Sequence, residues 1–225
     1  MKKKKYLLVL GREALDRDSL LYQELLTNLE LSGFEIIFDP MDRIRFSYQK
    51  VVGTKPFPGK YFLLPIFRAM YVLFRQGQWR DFICYLTGQI SALEFRTRVV
   101  NRFIETIQPH VSRLVVLTRS AGSLVISKIA NQLPVDQIIC LGYPFKHPEE
   151  GDADFRTIHL AKIQIPMLIF QGLRDPYGGK EVRDRYVLSD FIQFKFLDVD
   201  HDFVMSEMEL KLIQREMEEI LTSLK

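Results

Sequence analysis

The chain is poor in the residues that staple small proteins or bind metals. Of its 225 residues only two are cysteines, Cys84 and Cys140, far apart and in no CxxC spacing, which excludes a disulfide scaffold and a zinc knuckle. The four histidines, His110, His147, His159 and His201, form neither HExxH nor any paired-ligand spacing, so no metal and no cofactor are implied. Long apolar runs are missing too. The best candidate for a membrane span, 61–86, is broken by Arg68, Arg75, Arg80 and Asp81, against the roughly 18 uninterrupted residues a span needs. Behind Lys2–Lys5 the apolar run Tyr6–Leu10 has five residues, short of the roughly 7–15 of an export signal. A buried first strand explains it better, and the expectation is a cytoplasmic protein. There is no low-complexity stretch and no internal repeat. The length suits one domain, 1–225, or one domain carrying an insertion.

What is present is an ordinary globular balance, 47% hydrophobic and 26% charged residues. Short apolar runs at 6–10, 34–38, 114–117, 138–141, 167–170 and 191–197 alternate with helical patterns. Most of the runs are continuous Val, Ile, Leu and Phe, as strands of a parallel sheet covered on both faces should be. Helices are expected at 20–31 (capped by Asp18 or Ser19 and closed by Gly33), 92–107 (capped by Ser91), 121–132, 180–186 and 206–224. The fold class predicted is α/β.

One region breaks the rhythm. About 75 residues separate the second run from the third, where one crossover helix, 92–107, would suffice. The remainder, 41–90, reads as an insertion of aromatic-rich helices introduced by Pro56-Phe57-Pro58-Gly59. From Arg43 to Arg102 there are eleven Lys or Arg against two Asp or Glu, and 43–86 holds eleven of the 27 aromatics. Three readings suit this segment. It is a packed cap with solvated arginines, a lid walling a pocket, or a surface for an anionic membrane or lipid. Phe62, Ile66, Met70, Leu73 and Phe74 recur at helical spacing, which favours a buried face. No nucleic-acid motif accompanies the charge, so no nucleic-acid partner is expected.

Chemistry concentrates where the third run ends. Leu114-Val115-Val116-Leu117-Thr118-Arg119-Ser120-Ala121-Gly122 is an apolar strand running into a serine flanked by small residues, with a helix starting at once. This matches a nucleophile elbow, although Thr118 replaces the usual first glycine. The helix behind Ser120 aims its free N–H groups at the site, favouring a developing oxyanion. Downstream, the strand 167–170 leads through Gly172 to Asp175, and the strand 191–197 leads to His201. The order Ser, Asp, His and the position of each just past a strand's carboxyl end agree with one another. The alternatives are plainer: a helix-capping serine, a turn aspartate before Pro176 and a loop histidine. Cys84 and Cys140 read as plain buried thiols.

On Arg119-Ser120-Ala121-Gly122, Leu141-Gly142-Tyr143-Pro144, Ile165-Pro166…Gln171-Gly172-Leu173-Arg174-Asp175 and Asp200-His201, the chain resembles the α/β-hydrolase superfamily. It is most similar to small members, the dienelactone-hydrolase-like enzymes and the testis-expressed hydrolase-like group, over nearly its whole length apart from 41–90. The resemblance implies six strands in spatial order 2-1-3-4-5-6, with Ser120 as nucleophile, Asp175 as acid and His201 as base. It places the oxyanion hole at the N–H groups of Ala121 and, in the loop after the first strand, Arg12. That loop reads Gly11-Arg12-Glu13 and lacks the His-Gly pair common in relatives. Tyr143 and His147, after the fourth strand, are expected to line the substrate pocket, loop solvation of His147 being the alternative. The implied activity is hydrolysis of a small-molecule carboxylic ester or thioester through an acyl-enzyme. A non-catalytic hydrolase-like protein that binds a partner through its basic insertion is the alternative.

Overall fold

The computed structural model describes residues 2–11, 15–41 and 69–224. Six strands, β1 (Lys4–Leu10), β2 (Phe34–Phe38), β3 (Val111–Arg119), β4 (Gln137–Leu141), β5 (Met167–Gly172) and β6 (Ile192–Leu197), form one sheet in the order β2-β1-β3-β4-β5-β6. This is the expected order. Every neighbouring pair is parallel, so all six carboxyl ends share one edge. The helices are α1 (Leu15–Leu26), α2 (Trp79–Leu86), α3 (Ala92–Ile107), α4 (Ala121–Ile129) and α5 (Glu207–Ser223), with shorter turns between them. A two-residue antiparallel ribbon, Lys146–His147 with Gly151–Asp152, stands apart from the sheet.

The central parts of the inner strands are apolar on both faces because their alternating side chains feed two different cores. Leu7, Val9, Val115, Leu117, Ile139 and Leu141 pack with Leu25 of α1 and Ile213 and Met217 of α5. Their neighbours Leu8, Leu10, Leu114, Val116 and Ile138 pack on the other face with Val100 and Ile104 of α3 and Val125 and Ile126 of α4. Each such side chain contributes roughly 1.5–3 kcal/mol by leaving water, so a one-residue slip in register would exchange both cores.

Helix ends follow local chemistry. Ser91 caps α3 by accepting from the Glu94 amide, and Ser206 with Glu209 forms a capping box on α5. The first helix begins and ends earlier than the sequence suggests. It stops before Asn28, whose φ of 63° puts it in the left-handed region that asparagine tolerates, so the chain turns well before Gly33.

Of the expected insertion, 42–68 lies outside the described residues, and with it Pro56–Gly59, Phe62 and Ile66. The described part is a π-helical turn, Tyr71–Arg75, followed by α2. Here a correction applies. Val72 turns inward, against Met41 and Val99, whereas Met70 and Phe74 face outward. A π turn takes more residues per revolution than the 3.6 that the spacing assumed, so the inward face falls elsewhere. No helix among the described residues is long and apolar enough to cross a membrane.

Candidate active site

Ser120 alone makes the turn between β3 and α4, with φ 49° and ψ −118°. For a residue with a β-carbon this conformation costs on the order of 1–3 kcal/mol, and the surrounding structure must hold it. Its amide donates to the Gly142 carbonyl at 3.2 Å, tying the turn to the exit of β4. The close approach falls at Gly122, where a β-carbon would lie 2.3 Å from the Leu10 carbonyl oxygen and 2.8 Å from Thr118 Oγ1. Position 118 is looser. Thr118 is fully buried and donates its hydroxyl to the Leu10 carbonyl at 3.0 Å, linking the ends of β3 and β1.

Two further loops at the carboxyl edge converge on this serine. Ser120 Oγ lies 2.9 Å from His201 Nε2, and His201 Nδ1 lies 3.0 Å and 2.9 Å from the two carboxyl oxygens of Asp175. All three side chains are buried. The remaining capacity of the carboxylate is filled by the Tyr177 amide on Oδ1, at 2.8 Å, and by Gln171 Nε2 on Oδ2, at 3.0 Å. Gln171 also donates to the Gly178 carbonyl and accepts from the Tyr143 amide at 2.9 Å, so one buried amide side chain fixes Asp175 to the ends of β4 and β5. A buried polar group pays its desolvation only when it is bonded in this way.

The histidine loop is held from below. Arg119, fully buried just before the serine, donates to the His201 carbonyl at 3.0 Å and approaches the Asp202 carboxylate at 3.8 Å. Gly142 has φ 67°, and a β-carbon there would lie 2.9 Å from the Phe203 ring and 3.4 Å from Asp175 Oδ2. Only glycine gives both the turn and the room beside the His–Asp pair.

The other expected residues fare differently. Ala121 opens α4, at a helix end whose first amides point away from the helix's own carbonyls, although the Ser123 amide bonds back to the Ser120 carbonyl at 2.9 Å. Arg12 lies outside the described residues, but Gly11 before it accepts from the buried guanidinium of Arg96, which also pairs with Asp39 at 3.5 Å. His147 is half-buried. Its Nδ1 accepts from the amides of Glu149 and Glu150, and its ring meets Tyr177 edge-on at 6.0 Å. Tyr177 in turn lies over His201 at 4.3 Å between centroids. Tyr143 requires a correction. Its ring is fully buried and its hydroxyl donates to the Arg156 carbonyl at 2.6 Å, so it lines no open pocket. Burial pushes its phenol pKa up, so it stays protonated. Cys140 is likewise enclosed, its thiol pushed up to about 12 by burial and therefore no nucleophile near neutral pH.

Gln171, Tyr177 and the tie made by Arg119 escaped the sequence reading. Gln171 and Arg119 did leave a trace, each being a polar residue directly after an apolar buried run, Met167–Phe170 for the one and, past Thr118, Leu114–Leu117 for the other. Tyr177 left none.

Parallel strands, a strained serine turn and an adjoining imidazole and carboxylate define one class of protein. The alpha/beta hydrolase domain family matches residues 92–224, more than half of the chain, and the chain belongs to that family. No curated protein matches it in sequence. Among solved structures, an alpha/beta superfamily protein from Xanthomonas campestris pv. campestris is similar with a TM-score of 0.56 at 15% identity, covering 99% of both chains. A monoacylglycerol lipase from Paleococcus ferrophilus is similar at 0.55 and 10% identity, covering 100% of this chain and 97% of the lipase. The Pyrococcus furiosus esterase Pf2001 gives 0.54 at 9% identity, over 99% of this chain and 82% of the esterase. At these identities the likeness is one of fold.

Proposed function

We propose that this chain is a serine hydrolase that cleaves a carboxylic ester or thioester of a small molecule through an acyl-enzyme. One observation carries the reading: an unbroken hydrogen-bonded line from Ser120 Oγ through His201 to Asp175, starting at a strained turn that opens a helix. Serine is a weak nucleophile unless a base removes its proton as it attacks. His201 Nε2 is in place to take that proton, while Asp175 holds Nδ1 protonated and stabilises the imidazolium that forms. Ser120 Oγ bonds to the substrate carbonyl carbon, and the resulting oxyanion is assigned to the Ala121 N–H, Arg12, outside the described residues, being the second donor that the resemblance implies. His201 returns the proton to the leaving alcohol or thiol. Water, deprotonated by the same imidazole, then releases the acid and restores the serine. Tyr177 and His147 are assigned to the wall that the substrate meets.

The test is labelling by a fluorophosphonate, which reports an activated serine, followed by peptide mapping. The expected adduct is on Ser120, abolished in Ser120→Ala. Folded protein that takes no label would sink the enzymatic reading and favour a hydrolase-like binding protein.

A further inference from the structure

Helix α2 carries apolar side chains on two sides, and among the described residues only one of them is packed. Its inner side sets Phe82 against Phe95 at 6.1 Å and stacks Tyr85 on Phe95 at 4.8 Å, while Asp81 turns to Arg98 of α3. Its outer side presents Trp79, Ile83 and Leu86, four and three residues apart and therefore in one stripe, with exposures of 54%, 48% and 65%. Phe74, on the preceding turn, is 79% exposed. Large apolar side chains grouped on a surface in this way mark a contact site.

Charge selects the occupant. Arg80 stands exposed beside the stripe, its guanidinium 5.3 Å from the Trp79 ring, and Arg75 is exposed at the end of the preceding turn. Among the described residues no carboxylate pairs with either arginine. The two acids of 43–102, Asp81 and Glu94, both pair with Arg98, in a stretch that holds eleven basic residues. A second copy of the chain is a poor fit, because a twofold contact through this face would oppose like charges. An aromatic and aliphatic stripe bordered by arginines, on a short helix, suits the boundary between headgroups and acyl chains.

We propose that the outer face of α2, with Phe74, Arg75 and Arg80, docks on an anionic lipid bilayer, with Ile83 and Leu86 entering its boundary. The proposal does not depend on the reaction assigned to Ser120, so the Ser120→Ala protein is expected to bind as the natural chain does.

Trp79 is the only tryptophan in the sequence, so the protein carries its own reporter. Vesicles of mixed phosphatidylglycerol and phosphatidylcholine are expected to shift its emission to the blue and to carry the protein upward in flotation, with both effects lost at high salt. Pure phosphatidylcholine should do so weakly. Arg75→Gln and Arg80→Gln are each expected to weaken partition about fivefold, equivalent to about 1 kcal/mol per cation at the surface. Ile83→Ser with Leu86→Ser should weaken it at least tenfold while melting temperature stays near that of the natural chain, since the packed side of α2 is untouched. No emission shift at low salt would overturn the proposal. So would equal binding to both vesicle types, or a sedimentation dimer that buries Trp79 in the absence of lipid.

Discussion

Ser120 and Ser127 both lie within hydrogen-bond distance of an imidazole nitrogen, 2.9 Å from His201 Nε2 and 2.8 Å from His159 Nε2. Both serines are buried, and they lie at the start of α4 and two turns along it. The resemblance ends there. Ser120 sits in strained backbone in front of first-turn amides, whereas Ser127 is inside the helix and its hydroxyl also meets the Leu124 carbonyl at 3.4 Å and the Tyr143 hydroxyl at 3.3 Å. Behind His201 stands a carboxylate; no carboxylate is bonded to His159 among the described residues, and its neighbouring charge is the Lys128 ammonium. On the reading proposed above, a short Ser–His distance is not enough to make a nucleophile. The base must gain a stabilised positive charge, and the attacked group needs donors for its oxyanion.

Exchanging the two serines' fates is the severest way to break this contrast. Ser120→Ala is expected to lower turnover of an ester substrate by roughly 10³–10⁶-fold, since the members of a triad fail together. Ser127→Ala should stay within about tenfold. A larger loss from Ser127 than from Ser120 would reverse the assignment. Next comes the carboxylate: Asp175→Asn keeps the shape but favours the wrong tautomer of His201, and a fall of about 10⁴-fold in kcat is expected. If kcat survives within a factor of ten, His201 does not act through Asp175.

Gln171 allows a finer cut. Gln171→Leu removes the donor to Asp175 Oδ2 and leaves the Tyr143 amide unsatisfied, a cost of about 1–3 kcal/mol in stability. With Asp175 free to drift, kcat should drop by about 10²-fold with little change in KM. Gln171→Glu restores an acceptor for Tyr143 but sets a second carboxylate beside Asp175. It should recover part of the stability and move the pH–rate profile of kcat upward, because added negative charge favours the imidazolium. A variant that loses stability but leaves the profile in place would reduce Gln171 to a packing role.

The carboxyl edge was legible in the sequence where one side chain or one local pattern decides the outcome. The inner strands stood out because burial on both faces leaves little room for polar residues, the edge strands β2 and β6 because they stay mostly apolar despite exposed Glu35, Gln193 and Lys195, and Ser91 and Ser206 marked helix starts because a cap is chosen by its own next turn. That Ser120, Asp175 and His201 come together was legible through their order and their places after strands. What stayed hidden depends on partners distant in the chain. Gln171 is visibly a polar residue in an apolar strand, yet nothing local says that it reaches Tyr143, and Arg119 reaches a carbonyl 82 residues away. Tyr143 misled for the same reason: a tyrosine in a loop after a strand reads as pocket lining, until the Ser127–His159 cluster encloses its hydroxyl. Asn28 ended its helix in a conformation for which glycine is the usual sign, and the π turn at Tyr71–Arg75 defeated a 3.6-residue period.

That second cluster supplies the mildest test of the contrast, one read in stability and not in turnover. Burial, with Lys128 nearby, pushes the His159 imidazole down to about 4 from its ordinary 6.5. The folded protein therefore keeps it neutral at a pH where the unfolded chain has already taken up a proton. Stability from this group is fully present above about pH 6.5, declines as the pH falls toward 4 and levels off below that. Its partial exposure to water reduces the effect to on the order of 1–2 kcal/mol. Urea unfolding of the natural chain and of His159→Gln at pH 7 and pH 4.5 isolates the contribution, because glutamine can still bond to Ser127 but does not titrate. The natural chain is expected to lose more stability across that interval than the variant. Parallel losses would mean that His159 holds its proton as readily in the fold as in water, and the two Ser–His pairs would then differ less in environment than their burial implies.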